Sequence, residues 1–137
     1  MGGIGRTKVS LRFAGEDLDP EVVSHALGLQ PDKSYRKGEI ASWGRFKGRA
    51  AESGSWHLSV PVSEPGDLEA QITDLLARAT SDVSAWRNMA DSYSGNLFCG
   101  LFMKTMNEGL SLSATTMGAL GARGIELQLD IYDSSRD

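Results

Sequence analysis

The sequence is poor in the features that secreted and membrane proteins need. Its 137 residues include a single cysteine, Cys99, which cannot form an intrachain disulfide, whereas small extracellular domains usually carry several. No apolar run approaches the roughly 18 residues of a membrane-spanning helix, and residues 1–6 lack the apolar stretch of a signal peptide. The sequence therefore predicts a cytoplasmic protein that makes no contact with a membrane.

The motifs of common active sites are also missing. There is no phosphate-binding Gly-x-x-x-x-Gly-Lys-Ser/Thr, and no Gly-x-Ser-x-Gly of the kind that carries a nucleophilic serine. The two histidines, His25 and His57, have no second His or Cys at the spacing of metal ligands, and both are interpreted as ordinary surface histidines. We therefore expect no catalytic residue, no metal ion and no cofactor, and a small-molecule enzyme is the least favoured class.

Charge is distributed unevenly along the chain. Residues 1–49 carry nine basic and six acidic side chains, whereas residues 50–137 carry five basic and twelve acidic ones, which gives the net charge of -4. An acidic second half repels phosphate, so general nucleic-acid binding is disfavoured and an anion site would lie in the first half.

Hydrophobic periodicity predicts one domain over residues 7–133, between flexible termini at residues 1–6 and 134–137. Alternation of apolar and polar residues predicts strands at 7–13, 55–62 and 125–132, and a strand at 96–106 that is apolar on both faces and therefore central in the sheet. Helices are predicted from Pro20 to Gly28, from Asp67 to Ala79, over 81–91, and from Ser113 to Gly121 or Gly124. A short strand at 40–43 is a further possibility.

This order predicts an α+β fold in which a single layer of helices covers a mostly antiparallel sheet of four or five strands. It is a ferredoxin-like variant with extra helices. Within it, Cys99 alternates with Leu97 and Leu101 and is expected to be a buried, unreactive thiol.

Several short stretches occur in a familiar order. They are Leu11-Arg12-Phe13-Ala14-Gly15, Asp17-Leu18-Asp19-Pro20, Leu27-Gly28-Leu29, Pro31-Asp32, Lys37-Gly38, Trp56, Leu58-Ser59 and Asp130-Ile131-Tyr132. Together they resemble the bacterial family catalogued as domain of unknown function 4279, over residues 7 to 133. The resemblance implies a stand-alone bacterial domain and assigns no catalytic residue.

The candidate binding segment is residues 33–49, which have no periodicity and hold six of the fourteen basic residues. Glycines in this segment allow close backbone approach, and aromatic residues beside cations suit stacking or docking on an acidic surface. The candidate binding residues are Lys33, Tyr35, Arg36, Lys37, Trp43, Arg45, Phe46 and Lys47.

Two functions of this segment are open. The first is a non-enzymatic binding module, immunity-like or regulatory, that recognises a protein partner through loop 33–49. The alternative is a nucleic-acid or anion-binding domain that uses the same loop. A structural interpretation competes with both: the loop could be solvated, with aromatics that only attach it to the sheet.

Overall fold

The computed structural model describes residues 2–133. The strands are β1 (Gly2–Gly3), β2 (Arg6–Gly15), β3 (Lys33–Tyr35), β4 (Gly54–Ser59), β5 (Ser94–Met103), β6 (Glu108–Gly109) and β7 (Glu126–Asp133). The helices are α1 (Pro20–Leu27), α2 (Leu68–Arg78), α3 (Val83–Ser92) and α4 (Ala114–Ala122). The tail predicted at 134–137 lies outside the described residues.

Five strands form one sheet in the order β3-β4-β2-β5-β7. All neighbours in it are antiparallel except β5 and β7, which are parallel. The first four of these strands, with α1 and α2, have the connectivity of a ferredoxin-like β-α-β-β-α-β unit. The helix α3 and the appended α4–β7 are the extra elements. The predicted α+β class and mostly antiparallel sheet are thus confirmed.

The helices begin where the sequence provides caps. The side chains of Asp19, Asp67 and Ser113 accept hydrogen bonds from backbone N–H groups in the first turns of α1, α2 and α4. Gly28 ends α1 at φ 70°, a left-handed conformation that favours glycine. The predicted boundaries of these helices therefore agree closely with the structure.

The core lies between the helices and one face of the sheet. Val9, Leu11 and Phe13 of β2 alternate into it and meet Leu97 and Cys99 of β5, all at most 2% exposed. Among described residues no helix covers the opposite face, which carries Lys8, Ser10 and Arg12. The period-two alternation of β2 thus divides a helix-covered face from a helix-free face.

The core extends to residues that precede the predicted domain. Ile4 is 5% exposed and belongs to the same cluster, and Gly2–Gly3 pairs with Glu108–Gly109. The exact boundaries and the flexibility of the termini stay predictions, but the core begins at least three residues before position 7.

Some details of the secondary structure differ from the prediction. Residues 40–43 form no strand, only an isolated bridge between Ile40 and Ala50, and the strand of this region is β3. The strand predicted at 96–106 ends at Met103, and Met106 is 94% exposed. In β7 the alternating face is only partly covered: Leu129 and Ile131 are 48% and 59% exposed, and β7 is an edge strand of the sheet.

Within residues 2–133, no helix combines the length and the apolar character needed to cross a membrane.

Candidate functional site

The loop that follows β3 has a small core of its own. Tyr35, Ala41, Phe46 and Ala51 are each at most 7% exposed and pack together, with Trp43 against them. The backbone N–H of Ala41 donates to the carbonyl of Arg49, and that of Ala51 donates to the carbonyl of Glu39. These hydrogen bonds join the two ends of the loop. Missing periodicity therefore did not mean missing structure, because tight turns and a few aromatic contacts order this segment.

Two of the predicted binding cations attach the loop to the rest of the domain. Arg36 Nη2 lies 2.8 Å from an oxygen of Asp19, the residue that caps α1, and 3.7 Å from Glu21. Lys37 Nζ lies 2.7 Å from the carboxylate of Glu16, and this contact raises the pKa of Lys37. The acidic cluster before α1 thus binds the loop.

The eight predicted residues therefore separate into groups. Tyr35 and Phe46 are buried in the loop core, and Trp43 is half-buried between Tyr35 and His57, with ring centroids 4.9 and 4.6 Å away. Arg36 and Lys37 form ion pairs. Lys33, Arg45 and Lys47 remain exposed, and none of the three is ion-paired within residues 2–133.

The helix-free face of the sheet carries residues that the sequence did not single out. Arg12 lies at its centre, with its guanidinium carbon 4.0 Å from the centroid of the Phe98 ring and Nε donating to Ser10 Oγ at 3.0 Å. Lys8 lies over Phe102, which stacks on Tyr132 with centroids 4.7 Å apart. The alternation of cations in β2 and phenylalanines in β5 was the available signal, but only strand register shows that they meet.

Two hollows lie on this face, and Arg12 lines both. The first, of about 400 Å³, is formed by β2, β5 and the end of β7, with Lys8, Phe98, Phe102 and Tyr132 in its wall. The second, of about 350 Å³, lies between the sheet and loop 33–49, and its wall includes Tyr35, Trp43, Arg45, Phe46 and His57. Predicted loop residues thus form one wall of the surface, and the sheet forms its floor.

His57 is not the ordinary surface histidine predicted from the sequence. Burial, together with the nearby positive charges of Arg12 and Lys33, lowers its pKa to about 4. Trp43 packs edge-on against the imidazole. His57 is therefore neutral at pH 7, in a positively charged surrounding. Partial burial also lowers the pKa of the Arg12 guanidinium, which stays charged.

Other candidate chemistry has a structural explanation. Within residues 2–133, no three His, Cys, Asp or Glu side chains are grouped so that they could hold a metal ion. Cys99 is buried, and burial raises the pKa of its thiol to about 12.

Comparison with known protein families assigns the chain to one of them. The sequence model of the family described as Domain of unknown function (DUF4279) matches residues 5–134, nearly the whole chain. The chain belongs to this family. No curated protein and no solved structure shows significant similarity to it. The description of DUF4279 names no activity, so the function is inferred from the surface described above.

Proposed function

We propose that this member of DUF4279 is a non-enzymatic binding domain that recognises an acidic segment of a partner protein. The recognition surface is the helix-free face of the sheet, and loop 33–49 forms its wall. The loop residues that contribute are Lys33, Trp43 and Arg45, whereas Arg36 and Lys37 hold the loop in place.

The observation that carries the proposal is the unpaired charge of Arg12. Elsewhere in the described chain Arg36, Lys37 and Lys104 each contact a carboxylate. Arg12 is half-buried at the centre of the face, between two hollows, and has no carboxylate within 4.0 Å among residues 2–133. Partly desolvated guanidinium groups are usually paired, so an acidic group from outside the domain is the natural partner.

The shape of the surface favours an extended ligand. The two hollows share Arg12, so together they extend from Tyr132 at one edge of the sheet to the loop at the other. Aromatic residues beside cations provide apolar contact and charge complementarity, a combination that is enriched in protein interfaces.

Selection from a library of random displayed peptides tests this function. We expect enrichment of peptides with Asp or Glu next to an apolar residue, and binding of an enriched peptide that weakens about tenfold or more in Arg12→Gln, because a hydrogen bond to a charged group is lost. Arg78→Gln removes the same charge from an exposed site on α2 and should bind as the wild type does.

Two results would contradict the proposal: enrichment without acidic residues, or equal loss of binding in both variants. Each variant is first checked for an unchanged thermal unfolding midpoint, so that loss of fold is not mistaken for loss of binding.

Single-stranded nucleic acid is a second candidate, favoured by the phenylalanines and the stacked Phe102–Tyr132 pair on an open sheet face. The net charge of -4 and the carboxylates of Glu126 and Asp130 on β7 oppose it. A labelled oligouridine separates the two: binding that falls steeply with salt and is lost in Phe98→Ala would support the nucleic-acid function, and no binding at low salt would exclude it.

A further inference from the structure

The second hollow brings two nitrogen-bearing side chains to one place. Arg12 and His57 are direct cross-strand partners on β2 and β4, and both line the space of about 350 Å³ under the loop. Side chains of directly opposite residues on one face lie close enough to contact a common group. The site is therefore built on two strands of a rigid sheet and not on the loop.

Both side chains are held in position. The Phe98 ring covers one side of the Arg12 guanidinium, and Ser10 Oγ accepts from its Nε. This arrangement leaves the two terminal nitrogens of Arg12 without a hydrogen-bond partner in the described chain. Trp43 fixes the imidazole of His57 from the loop side, 4.6 Å between ring centroids. A guanidinium with two free nitrogens suits the paired oxygens of a carboxylate or phosphate.

We propose that Arg12 and His57 form a subsite for one oxyanion of the ligand, a carboxylate or phosphate group, and that His57 takes up a proton when this oxyanion is bound at acidic pH. The inference rests on the proposed function in placing the ligand on the helix-free face, and it adds the chemical group and its proton linkage.

The linkage follows from the charges around His57. The ionisable groups that surround it are Arg12 of β2, Lys33 and Tyr35 of β3, Asp32 before β3 and Arg45 of the loop. Burial of the ring, followed by the charges of Arg12 and Lys33, disfavours the imidazolium, so it forms only near pH 4. A bound oxyanion adds a negative charge beside the imidazole, which favours the imidazolium and raises the pKa of His57. Reciprocally, the oxyanion binds more tightly as pH falls through the raised pKa.

Titration of the His57 ring signals by NMR tests this with sulfate as the probe, because the charge of sulfate hardly changes over the pH range in which His57 titrates. Sodium chloride at equal ionic strength is the control for screening. We expect the pKa of His57 to be about one unit or more higher in sulfate than in chloride. His57→Gln assigns the signals, and His25, exposed on α1, is the reference within the sample.

Variants at Arg12 and Arg78 show whether the pKa difference between sulfate and chloride arises at the proposed subsite. In Arg12→Gln the pKa of His57 in chloride should itself rise, because a neighbouring cation is gone, but the difference between sulfate and chloride should vanish. Arg78→Gln should keep the full difference. If Arg12→Gln does not fold, Arg12→Lys keeps the charge without the paired nitrogens, and the difference should shrink. Equal pKa values in sulfate and chloride for the wild type would overturn the proposal, as would an undiminished difference in the Arg12 variant.

Acetate and phosphate distinguish the source of the oxyanion. At pH 7, shifts of the His57 signals with acetate but not phosphate indicate a carboxylate ligand, and the reverse indicates a phosphorylated one; no shift with either would count against the subsite. The NMR titration and the peptide selection can fail independently. A pKa shift of His57 in sulfate without enrichment of acidic peptides supports the subsite and contradicts the acidic protein partner. Enrichment of acidic peptides without a pKa shift in sulfate supports the protein partner and contradicts the subsite.

Discussion

At the scale of single residues, side chains of the same type in this domain have different roles because their neighbours differ. Arg36 lies beside the carboxylates of Asp19 and Glu21, and therefore holds the loop against α1. Arg12 lies on a phenylalanine ring, and Arg45 has no carboxylate near it in the described chain. Of these three arginines, Arg12 and Arg45 are therefore the two that are available for a ligand.

Cys99 should be unreactive in the native protein. It is fully buried in β5, and burial raises its pKa to about 12, so the nucleophilic thiolate is scarce at pH 7. We expect labelling by a thiol reagent to be much slower in buffer than in denaturant. Labelling at equal rates would show that β5 is accessible from the helix side.

Gln71 connects α2 to the sheet through a buried polar contact. Its side-chain nitrogen donates to the carbonyl oxygens of Thr7 and Pro61, at 3.0 and 2.9 Å, and its side-chain oxygen accepts from Thr7 Oγ1. Gln71→Leu removes these three hydrogen bonds, and we expect a loss of about 1–3 kcal/mol in the free energy of unfolding. Thr73→Val on the exposed side of α2 is the control, and equal urea midpoints for the two variants would refute the role of Gln71.

At the scale of elements, the loop after β3 behaves as a small unit attached to the domain. Its core is separate from the main core, and its backbone bonds are mostly internal. The sheet supports it from below, through Trp43 on His57, and the acidic turn before α1 supports it from the side. This arrangement gives the wall of the binding surface a fixed position.

Phe46→Ala should loosen this unit without unfolding the domain. Phe46 is 4% exposed and fills the loop core, so its removal leaves a cavity there. We expect faster hydrogen exchange at the amides of Ala41 and Ala51, which are bonded across the loop, and unchanged exchange at Leu11 and Leu97 in the sheet. Faster exchange at all four amides would mean that loop and sheet unfold together.

At the scale of the whole molecule, charge and fold combine to give the domain two unlike sides. The chain is acidic overall, yet the helix-free face collects Lys8 and Arg12 from β2 and Lys33 from β3. Glu126 and Asp130 of β7 lie at the opposite edge of this face, whereas Glu69, Asp74 and Asp91 lie on the helices. An acidic partner is therefore steered towards the part of the helix-free face that β2 and β3 form.

The stability of the whole domain should depend on His57 as pH falls. Its folded-state pKa of about 4 lies below the ordinary value of 6.5, so the unfolded chain binds this proton first, and the stability that neutral His57 supports is lost as pH falls from 6.5 to 4. We expect the decrease in urea midpoint between these values to be smaller in His57→Gln than in the wild type. The same decrease in both proteins would show that other groups cause the acid sensitivity.

The sequence alone determined the elements and their faces. Period-two alternation in β2, the caps Asp19, Asp67 and Ser113, and the stop at Gly28 are local signals, since hydrogen bonding and side-chain direction depend on a few neighbouring residues. Loop 33–49 was also identifiable, from its composition.

The tertiary structure decided which cations form ion pairs and against which elements loop 33–49 packs. The pairing of Arg36 with Asp19, and of Lys37 with Glu16, joins residues far apart in the chain. Arg12 and His57 meet only through the register of β2 and β4, and the strand order places β7, with the exposed Leu129 and Ile131, at the edge of the sheet. Such contacts depend on strand order and register, which periodicity does not encode, because one alternating pattern fits many neighbours.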